Sequence, residues 1–516
     1  MTQRRAQLAL VLAVALLVGG CARLFDHYDV GPTGLARADE RLRRLLVDPS
    51  ATRTLASLLD DRSALPSDPL LARMYGGIVA YHAGDFARSA AMLDSATLLI
   101  DDRMTTSVSR TALSIISTDK VLPYQASRSE RLLLHYYAAL AWLQLGSAED
   151  AAVEARRMAL LLEADRPEND AERRLHAAMR HASAAIFAMA GETADADVAW
   201  RNALALLGDS VKDERLPRPE PDSVDVFLFV DRGFVGHRAE QSISLWLRGE
   251  EVGRLRSDDD EARAGVATMI AARIVEAADA PGNDGYRPLQ VAAHEEDEHV
   301  VEDGSDAGDG CDSPCSAIAE DTATLGHDSG SATLVSESRP GRASGTRRSD
   351  RRDRRDESRD MPYLMRIAWP VFRDVSPPLG SVRVLTDSAT SHTPLVRASV
   401  SSAVAEDLRR DRAMLVARAV ARAAAKLAIT RGIEEEIREK DEGAADFFAM
   451  LGNAAFAVTE QADTRSWTLL PGTVEIARVR VPAGGATVRV EVSGREVTVP
   501  VDAPGGSIRI QHVRLP

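Results

Sequence analysis

The chain has 516 residues, 45% of them hydrophobic and 27% charged, which is enough for two or three domains with sizeable cores. Its formal net charge is −15 at pH 7, so phosphate backbones and anionic lipid surfaces repel the molecule as a whole. Nucleic acid is therefore excluded from the expected partners.

The first twenty residues predict an export signal. Two arginines precede an apolar stretch over residues 8–18, which as a helix rises about 16 Å, roughly half of a bilayer's hydrocarbon thickness. The fragment "VGGC" that follows resembles the lipobox of bacterial lipoproteins, in which cleavage before the cysteine is coupled to lipidation of its sulfur. The resemblance implies a signal peptide over residues 1–20 and a lipid anchor at Cys21. Because the next residue is Ala22 and not aspartate, the resemblance also implies that the protein lies on the periplasmic face of an outer membrane. The alternative is an ordinary secretory peptide with a chance cysteine.

Three stretches before residue 215 predict pairs of helices and resemble tetratricopeptide repeats. In residues 72–101, 134–162 and 182–208, a small residue at the expected helix crossing precedes a glycine turn and a second helix whose alanines face back. The residues expected to pack these pairs are Gly77, Tyr81, Gly84, Phe86, Ala139, Trp142, Gly146, Ala151 and Trp200. In a regular array of such repeats, successive pairs are about 34 residues apart. The second pair follows the first at a longer distance, so we expect an irregular array. Such repeats imply binding of a partner protein, with a purely structural role as the alternative.

From residue 222 the pattern changes to that of strands. Aliphatic and aromatic residues alternate from Val226 to Val230, which predicts a strand buried on both faces. Strand character resumes in "YLMRIAWPVFRDV", where Pro370 is expected at an edge or a bulge. The strands before residue 281 are too few to form a stable sheet alone, and so are those that follow residue 360. We therefore expect the two sets of strands to pair with each other.

Residues 281–360 form that segment, with little apolar periodicity and with acidic residues ahead of basic ones. This composition buries too little apolar surface to offset backbone ordering, so we expect a disordered, charged insertion. Cys311 and Cys315 are expected to form a local disulfide or to stay as thiols. The alternative is a metal site, but the chain has no second cysteine pair to complete one. The basic run Arg347–Arg359 is expected to be solvated or to lie against its acidic neighbour, with binding to an acidic surface as the alternative.

Residues 403–440 predict one long helix, broken near Gly432, because apolar residues recur there at helical spacing. Beside the apolar stripe, Arg418, Arg422 and Lys426 form a basic row. The row is expected to pair with carboxylates or to be solvated, and an anionic ligand is the alternative.

The segment "TEQADTRSWTLLPG", residues 459–472, holds the candidate site. Glu460, Asp463 and Arg465 place two carboxylates beside a guanidinium, with Trp467 close behind. The pattern favours a structural clamp, in which Arg465 satisfies a carboxylate or nearby carbonyls and Trp467 packs beneath it. The alternative is the acid and base pair of a hydrolase. The sequence has no HExxH, GxSxG, Walker or dinucleotide-binding motif.

The last forty or so residues alternate strongly and are punctuated by glycine turns. Four short strands are predicted, forming a small antiparallel meander or sandwich over residues 471–516.

The fragment "ARAVARAAAK" at residues 417–426, together with residues 459–472 and 477–484, resembles a family of bacterial lipoproteins of unassigned function. Members join an irregular tetratricopeptide-like N-terminal region to a mixed α/β C-terminal region. The resemblance covers most of the chain except residues 281–360, and it supplies no catalytic residue.

These observations predict an α+β protein that acts as an outer-membrane-anchored periplasmic lipoprotein, a non-catalytic adaptor or scaffold for an envelope protein, without cofactor or metal. The alternative is an envelope hydrolase acting on peptidoglycan or glycan through Glu460 and Asp463. The expected parts are a signal peptide (1–20), a helical tetratricopeptide-like domain (21–215), a mixed α/β domain (222–280 and 361–470), the insertion (281–360) and a small β module (471–516).

Overall fold

The computed structural model describes residues 35–106, 122–208, 215–247, 261, 265–272, 363–374, 380–386, 391–438, 460–492 and 494–516. The expected signal peptide, the anchor Cys21, the cysteines Cys311 and Cys315 and the expected insertion over residues 281–360 lie outside the described residues. The chain divides into one compact unit formed by Met1–Gln290 and Tyr363–Pro516 and a second formed by Val291–Pro362. Everything described below belongs to the first unit.

Helices fill the N-terminal part of this unit. Side-chain oxygens of Asp68, Ser127 and Asn169 accept backbone N–H groups and so cap the helices that start beside them. Glycines with positive φ, which residues with a Cβ rarely adopt, end the first helix of three successive pairs. These turn glycines are Gly84, Gly146 and Gly191. The helices are α1 (Arg37–Leu46), α2 (Thr52–Leu58), α3 (Pro69–His82), α4 (Phe86–Thr106), α5 (Arg128–Gln144), α6 (Ala148–Ala164), α7 (Asp170–Met189), α8 (Thr193–Leu207) and, later in the chain, α9 (Val400–Arg438), with short 3₁₀ turns at Pro49–Ala51 and Arg62–Ala64.

Strands follow, and three sheets lie within the described residues. The strands are β1 (Ser223–Arg232), β2 (His237–Leu247), β3 (Tyr363–Arg373), β4 (Val382–Thr386), β5 (Ser391–His392), β6 (Val396–Ser399), β7 (Thr473–Pro482), β8 (Ala486–Val492), β9 (Arg495–Val501) and β10 (Ser507–Leu515). One sheet has the order β10-β1-β7-β6, a second has the order β5-β4-β8-β9, and β2 pairs with β3 in a third. The chain is therefore an α+β protein, as the sequence predicts.

Strand β1 lies at the centre of the unit and is buried along its whole length. Its aromatic residues, Phe227 and Phe229, belong to the larger core, which they share with the helices. Its aliphatic residues on the other face, Val226 and Leu228 among them, belong to a second core that includes residues of β4, β8 and β9. The prediction of a strand buried on both faces is confirmed.

The first helix of each pair, α3, α5 and α7, is covered on two sides. One side meets the second helices of the pairs. On the other side, α7 meets β6, β7 and β10, and α3 and α5 contact β10 and the segment before β7. Trp467, Leu469 and Leu470 of that segment are fully buried in the same core. The inner face of the helical array is therefore filled by the chain's own C-terminal half.

Strands β2 and β3 pair antiparallel from His237 opposite Arg373 to Leu247 opposite Tyr363. This confirms that the strands on either side of the expected insertion belong together. Pro370 lies opposite Glu240 in this two-stranded sheet, where each strand has an edge, as expected for a residue that cannot donate a ladder hydrogen bond.

Two expectations about the C-terminal part are wrong in detail. The strands of residues 471–516 do not form a meander of their own: β8 and β9 pair with each other, whereas β7 and β10 flank β1, with β10 parallel to it. Alternation predicts a strand but carries no information about its neighbour, which explains the difference. The long helix α9 runs through Gly432 to Arg438 without the expected break.

Candidate functional site

The clamp predicted in residues 459–472 forms between Asp463 and Arg465. The Arg465 guanidinium donates from Nε to Asp463 Oδ1 at 2.8 Å and from one terminal nitrogen to Oδ2 at 2.7 Å, and it also reaches the Leu122 carbonyl at 2.8 Å. The aromatic ring beside the guanidinium is that of Tyr124, 5.9 Å away, and not the expected Trp467. The bidentate pair holds the guanidinium in place, and its bond to the Leu122 carbonyl joins the segment to the loop that precedes α5.

Glu460, the other candidate carboxylate, lies in a different ion pair. Its Oε1 accepts from Arg422 Nε at 2.9 Å, and its Oε2 accepts from Lys426 Nζ at 2.6 Å. The side chains of Glu460 and Arg422 are 1% exposed, and that of Lys426 is 5% exposed. Two residues of the basic row on α9 are therefore paired with a carboxylate, and the two carboxylates of the hydrolase alternative are each held by different cations.

Trp467 is fully buried against α5 instead of beneath Arg465. Its backbone N–H donates to Glu130 Oε1 at 2.9 Å, and its ring lies 6.5 Å from the ring of Tyr137. Glu130 also accepts from the Tyr124 hydroxyl and from the backbone N–H of Ser127. One carboxylate thus joins the start of α5 to the candidate segment.

The residues predicted to pack the helix pairs lie in those pairs. A Cβ on Gly77 would come 2.5 Å from the Leu93 side chain, so a larger residue there would force Leu93 of α4 to shift. Ala139 and Ala151 are fully buried, Phe86 and Trp142 are partly buried, and Gly84 and Gly146 form turns. Tyr81 and Trp200 are buried, and the ring of Trp200 packs edge-on against His181 at 4.8 Å.

A buried polar network that the sequence analysis missed lies between the helices and the sheet. Asp231, at the end of β1, accepts from the Tyr137 hydroxyl at 2.6 Å and from the Tyr136 hydroxyl at 3.2 Å. The Nε2 atom of His512 on β10 lies 3.0 Å from Asp231 Oδ2, and its Nδ1 atom lies 3.1 Å from the Tyr81 hydroxyl. The parallel pairing of β1 with β10 brings Asp231 and His512 together.

Electrostatics keep Asp231 ionised in this network. Burial raises the pKa of the Asp231 carboxyl, but the nearby His512 and Arg514 and the hydroxyl of Tyr137 outweigh burial and hold that pKa below its ordinary value. Burial, and next the charge of Asp231, raise the pKa of Tyr136 and Tyr137, so both hydroxyls stay protonated and donate. The network is closed to solvent and joins α3, α5, β1 and β10, which gives it a structural role.

The sequence contained a weak signal for this network. Asp231 lies in a strand that is buried along its whole length, and "HYY" falls within residues 132–141 of α5, all of which are buried. A charged residue inside such a run needs a partner, but the partner lies on β10, at the far end of the chain.

The surfaces of the unit offer two further features. Cavities of about 370 and 380 Å³ lie beside α8 and between α5, α6, α7 and α9. Several large apolar side chains are exposed on the second helices of the pairs. Among the described residues there is no cluster of histidine, cysteine and acidic side chains suited to a metal, and no helix is long and apolar enough to span a membrane.

Comparisons with known proteins yield no relative. No family model matches the chain, and neither a curated protein nor a solved structure matches it. The resemblances to lipoproteins and to tetratricopeptide repeats therefore stay predictions.

Replacement of Glu460 by glutamine tests whether this carboxylate is structural. The change removes the negative charge that neutralises Arg422 and Lys426 in the interior, so we expect the free energy of unfolding to fall by about 3–5 kcal/mol in urea denaturation. The matched control is Glu491→Gln, which breaks the more exposed pair with Arg383 and should cost under about 1 kcal/mol. Unchanged stability for Glu460→Gln would contradict the structural role.

Replacement of Asp231 by asparagine tests the buried network and its pH dependence. Because the folded-state pKa of Asp231 lies below its unfolded value, the Asp231 carboxylate contributes to the free energy of unfolding above about pH 4. That contribution is lost as the pH falls through the folded-state pKa. We expect Asp231→Asn to lower the free energy of unfolding by about 3–5 kcal/mol at pH 7, with the difference from wild type shrinking below pH 4. Urea denaturation at several pH values measures this, with Asp94→Asn, in an exposed pair with Arg157, as the control. A difference that grows on acidification would refute the assignment.

Proposed function

We propose that the chain is a lipid-anchored protein of the periplasmic face of the outer membrane that acts as a non-catalytic adaptor or scaffold. Its partner is a protein of the cell envelope. The anchor proposal rests on the lipobox-like fragment ending at Cys21, and the adaptor proposal rests on the surface of the helix pairs.

The observation that carries the adaptor proposal is an outer strip of apolar residues, Leu98, Val153 and Leu160. They are 69%, 40% and 66% exposed. Helices α4 and α6 meet where Asp94 contacts Arg157 at 3.1 Å. Leu98 follows Asp94 by one helical turn, and Val153 and Leu160 lie one turn either side of Arg157, so the three side chains flank one ion pair on one surface.

Exposed apolar residues are ordinary when they are scattered but indicate a binding surface when they are grouped. A surface that combines exposed apolar side chains with an ion pair has the mixed apolar and polar composition of non-obligate protein interfaces. The strip favours a protein partner over a small ligand because its residues are exposed on the outer helices.

The covered inner face supports the same choice of surface. Helical repeats commonly bind partners through the face of their first helices. Here the chain's own β7, β10 and the segment before β7 occupy that face, so a partner has the outer helices available.

The hydrolase alternative receives no support from the candidate carboxylates. Glu460 and Asp463 are both neutralised by close cations, whereas a general acid or base needs a carboxyl that is able to exchange its proton with substrate. No specific observation favours that alternative.

The partner surface is tested by crosslinking in intact cells followed by identification of the captured protein. We expect the double variant Leu98→Glu/Leu160→Glu to reduce capture at least about tenfold, because each buried leucine contributes about 1.5–3 kcal/mol of apolar transfer. Met414→Glu, which adds a charge at a residue 53% exposed on α9, is the matched control and should leave capture unchanged. Undiminished capture by the double variant would overturn the outer strip as the binding surface.

The anchor is tested separately by mass analysis of the native N-terminus and by fractionation. We expect cleavage before Cys21 with acyl chains on the mature N-terminal cysteine, and we expect Cys21→Ser to release the protein from the membrane fraction, because the acyl chains supply the membrane affinity. An uncleaved N-terminus or an unmodified thiol would overturn the location without bearing on the outer strip.

A further inference from the structure

Strand β10 forms one edge of its four-stranded sheet, in which β1 is its neighbour. Strand β1 has a strand on each side and is buried along its whole length, whereas residues 507–512 of β10 are only partly buried. Alternate residues of such an edge strand direct their backbone N–H and C=O groups away from the neighbouring strand. Within the described part of the chain, no backbone group from beyond the sheet bonds to residues 507–512. The outer edge of β10 can therefore accept another strand.

A cavity of about 370 Å³ lies against the start of this edge and is lined by the consecutive residues 506–509. Side chains of consecutive strand residues point to opposite faces, so a cavity that meets all of them lies at the edge of the strand and not on one face. The other wall is formed by Ala188 and Met189 at the end of α7 and by Thr193 and Ala196 of α8. The space therefore lies between the outer edge of β10 and a helix hairpin.

The charged side chains of the cavity are mostly cationic. Arg218 and Arg509 line it together with one carboxylate, that of Asp197. Neither arginine forms an ion pair with another described residue, and Arg509 makes only a long bond of 3.4 Å to the Ile508 carbonyl of its own strand. Asp197 already accepts the backbone N–H of Leu216 at 3.0 Å. Two guanidinium groups are thus available to carboxylates that enter the cavity.

The two faces of β10 differ in polarity. Ile508 and Ile510 pack against the core that the strand shares with the helices, so Arg509 between them points to the opposite face. A strand laid beside β10 has the same alternation. Apolar side chains suit its helix-facing side, and carboxylates suit the side of Arg509.

The arginines also select against other strands. A basic strand, or a second copy of β10, would place like charges beside Arg509, which is unfavourable. Strand β9, at an edge of the other four-stranded sheet, carries Pro500, which cannot donate a ladder hydrogen bond. Strand β10 has no proline from Ser507 to Leu515.

We propose that the edge of β10 and this cavity bind an extended acidic segment of a partner protein, which adds a strand to the sheet. The backbone of the segment pairs with the outer edge of β10. Its carboxylates contact Arg218 and Arg509, and the apolar side chains between them lie against Ala188 and Met189. This surface is separate from the outer strip, and the proposal does not depend on that strip.

Fluorescence anisotropy of the full chain with labelled peptides at about 0.15 M salt tests this proposal. The probe is a short peptide of alternating valine and glutamate, blocked at both ends. One control has lysine in place of glutamate, and the other keeps glutamate but is methylated at its backbone nitrogens, which removes the ladder donors. We expect the probe to bind with a Kd below about 1 mM and each control to bind at least about tenfold more weakly. A control that binds as tightly as the probe, or no binding of the probe up to about 1 mM, would overturn the proposal.

Variants and hydrogen exchange locate the binding. Arg509→Gln should weaken binding of the probe at least about tenfold, because one of two guanidinium groups is lost. Arg495→Gln, which removes the same charge from an exposed position on β9, is the matched control and should leave the affinity unchanged. The probe should slow amide exchange in residues 507–512 and leave residues 495–501 unaffected. Wild-type affinity of Arg509→Gln, or unaltered exchange in residues 507–512, would refute the site.

Discussion

The fold depends on one buried charge, the Asp231 carboxylate at the end of β1. A carboxylate removed from water is tolerated only when hydrogen bonds and opposite charge replace its hydration, and here these come from α5 and β10. Because Tyr81 of α3 in turn contacts His512, one charge sets the position of two helices and the last strand relative to the central sheet. Strand β1 can then serve two cores, one on each face.

This arrangement makes the helical array and the sheet a single structure instead of two regions joined by a linker. The carboxylates Glu130 and Glu460 extend the same pattern, since each joins elements that are distant in sequence. Arg465, held by its neighbour Asp463, likewise reaches Asp68 at 3.7 Å. Polar side chains that resemble a catalytic set because they are close together in the sequence therefore stabilise the fold. Among the described residues, the outside of the second helices is open for recognition, and the proposed function rests on it.

Features set by neighbouring residues could be predicted from the sequence. The glycine turns of the helix pairs, the two-sided burial of β1 and the pairing of the basic row on α9 with a carboxylate were all accessible from spacing and composition. Features set by contacts between distant residues were not. The placement of β10 beside β1, the meeting of Asp231 with His512 and the separation of Glu460 from Asp463 into different ion pairs follow from the packing of whole elements, and no local pattern encodes them.

The parallel pairing of β10 with β1 also bears on how the molecule is made. Asp231 is synthesised long before His512 and Arg514, so during translation the carboxylate has none of its β10 partners. The sheet closes only after residues 507–515 emerge, and contacts between such remote positions form slowly. Helix hairpins that assemble early would meanwhile expose their inner apolar faces, a condition under which a chaperone that shields nascent chains is useful.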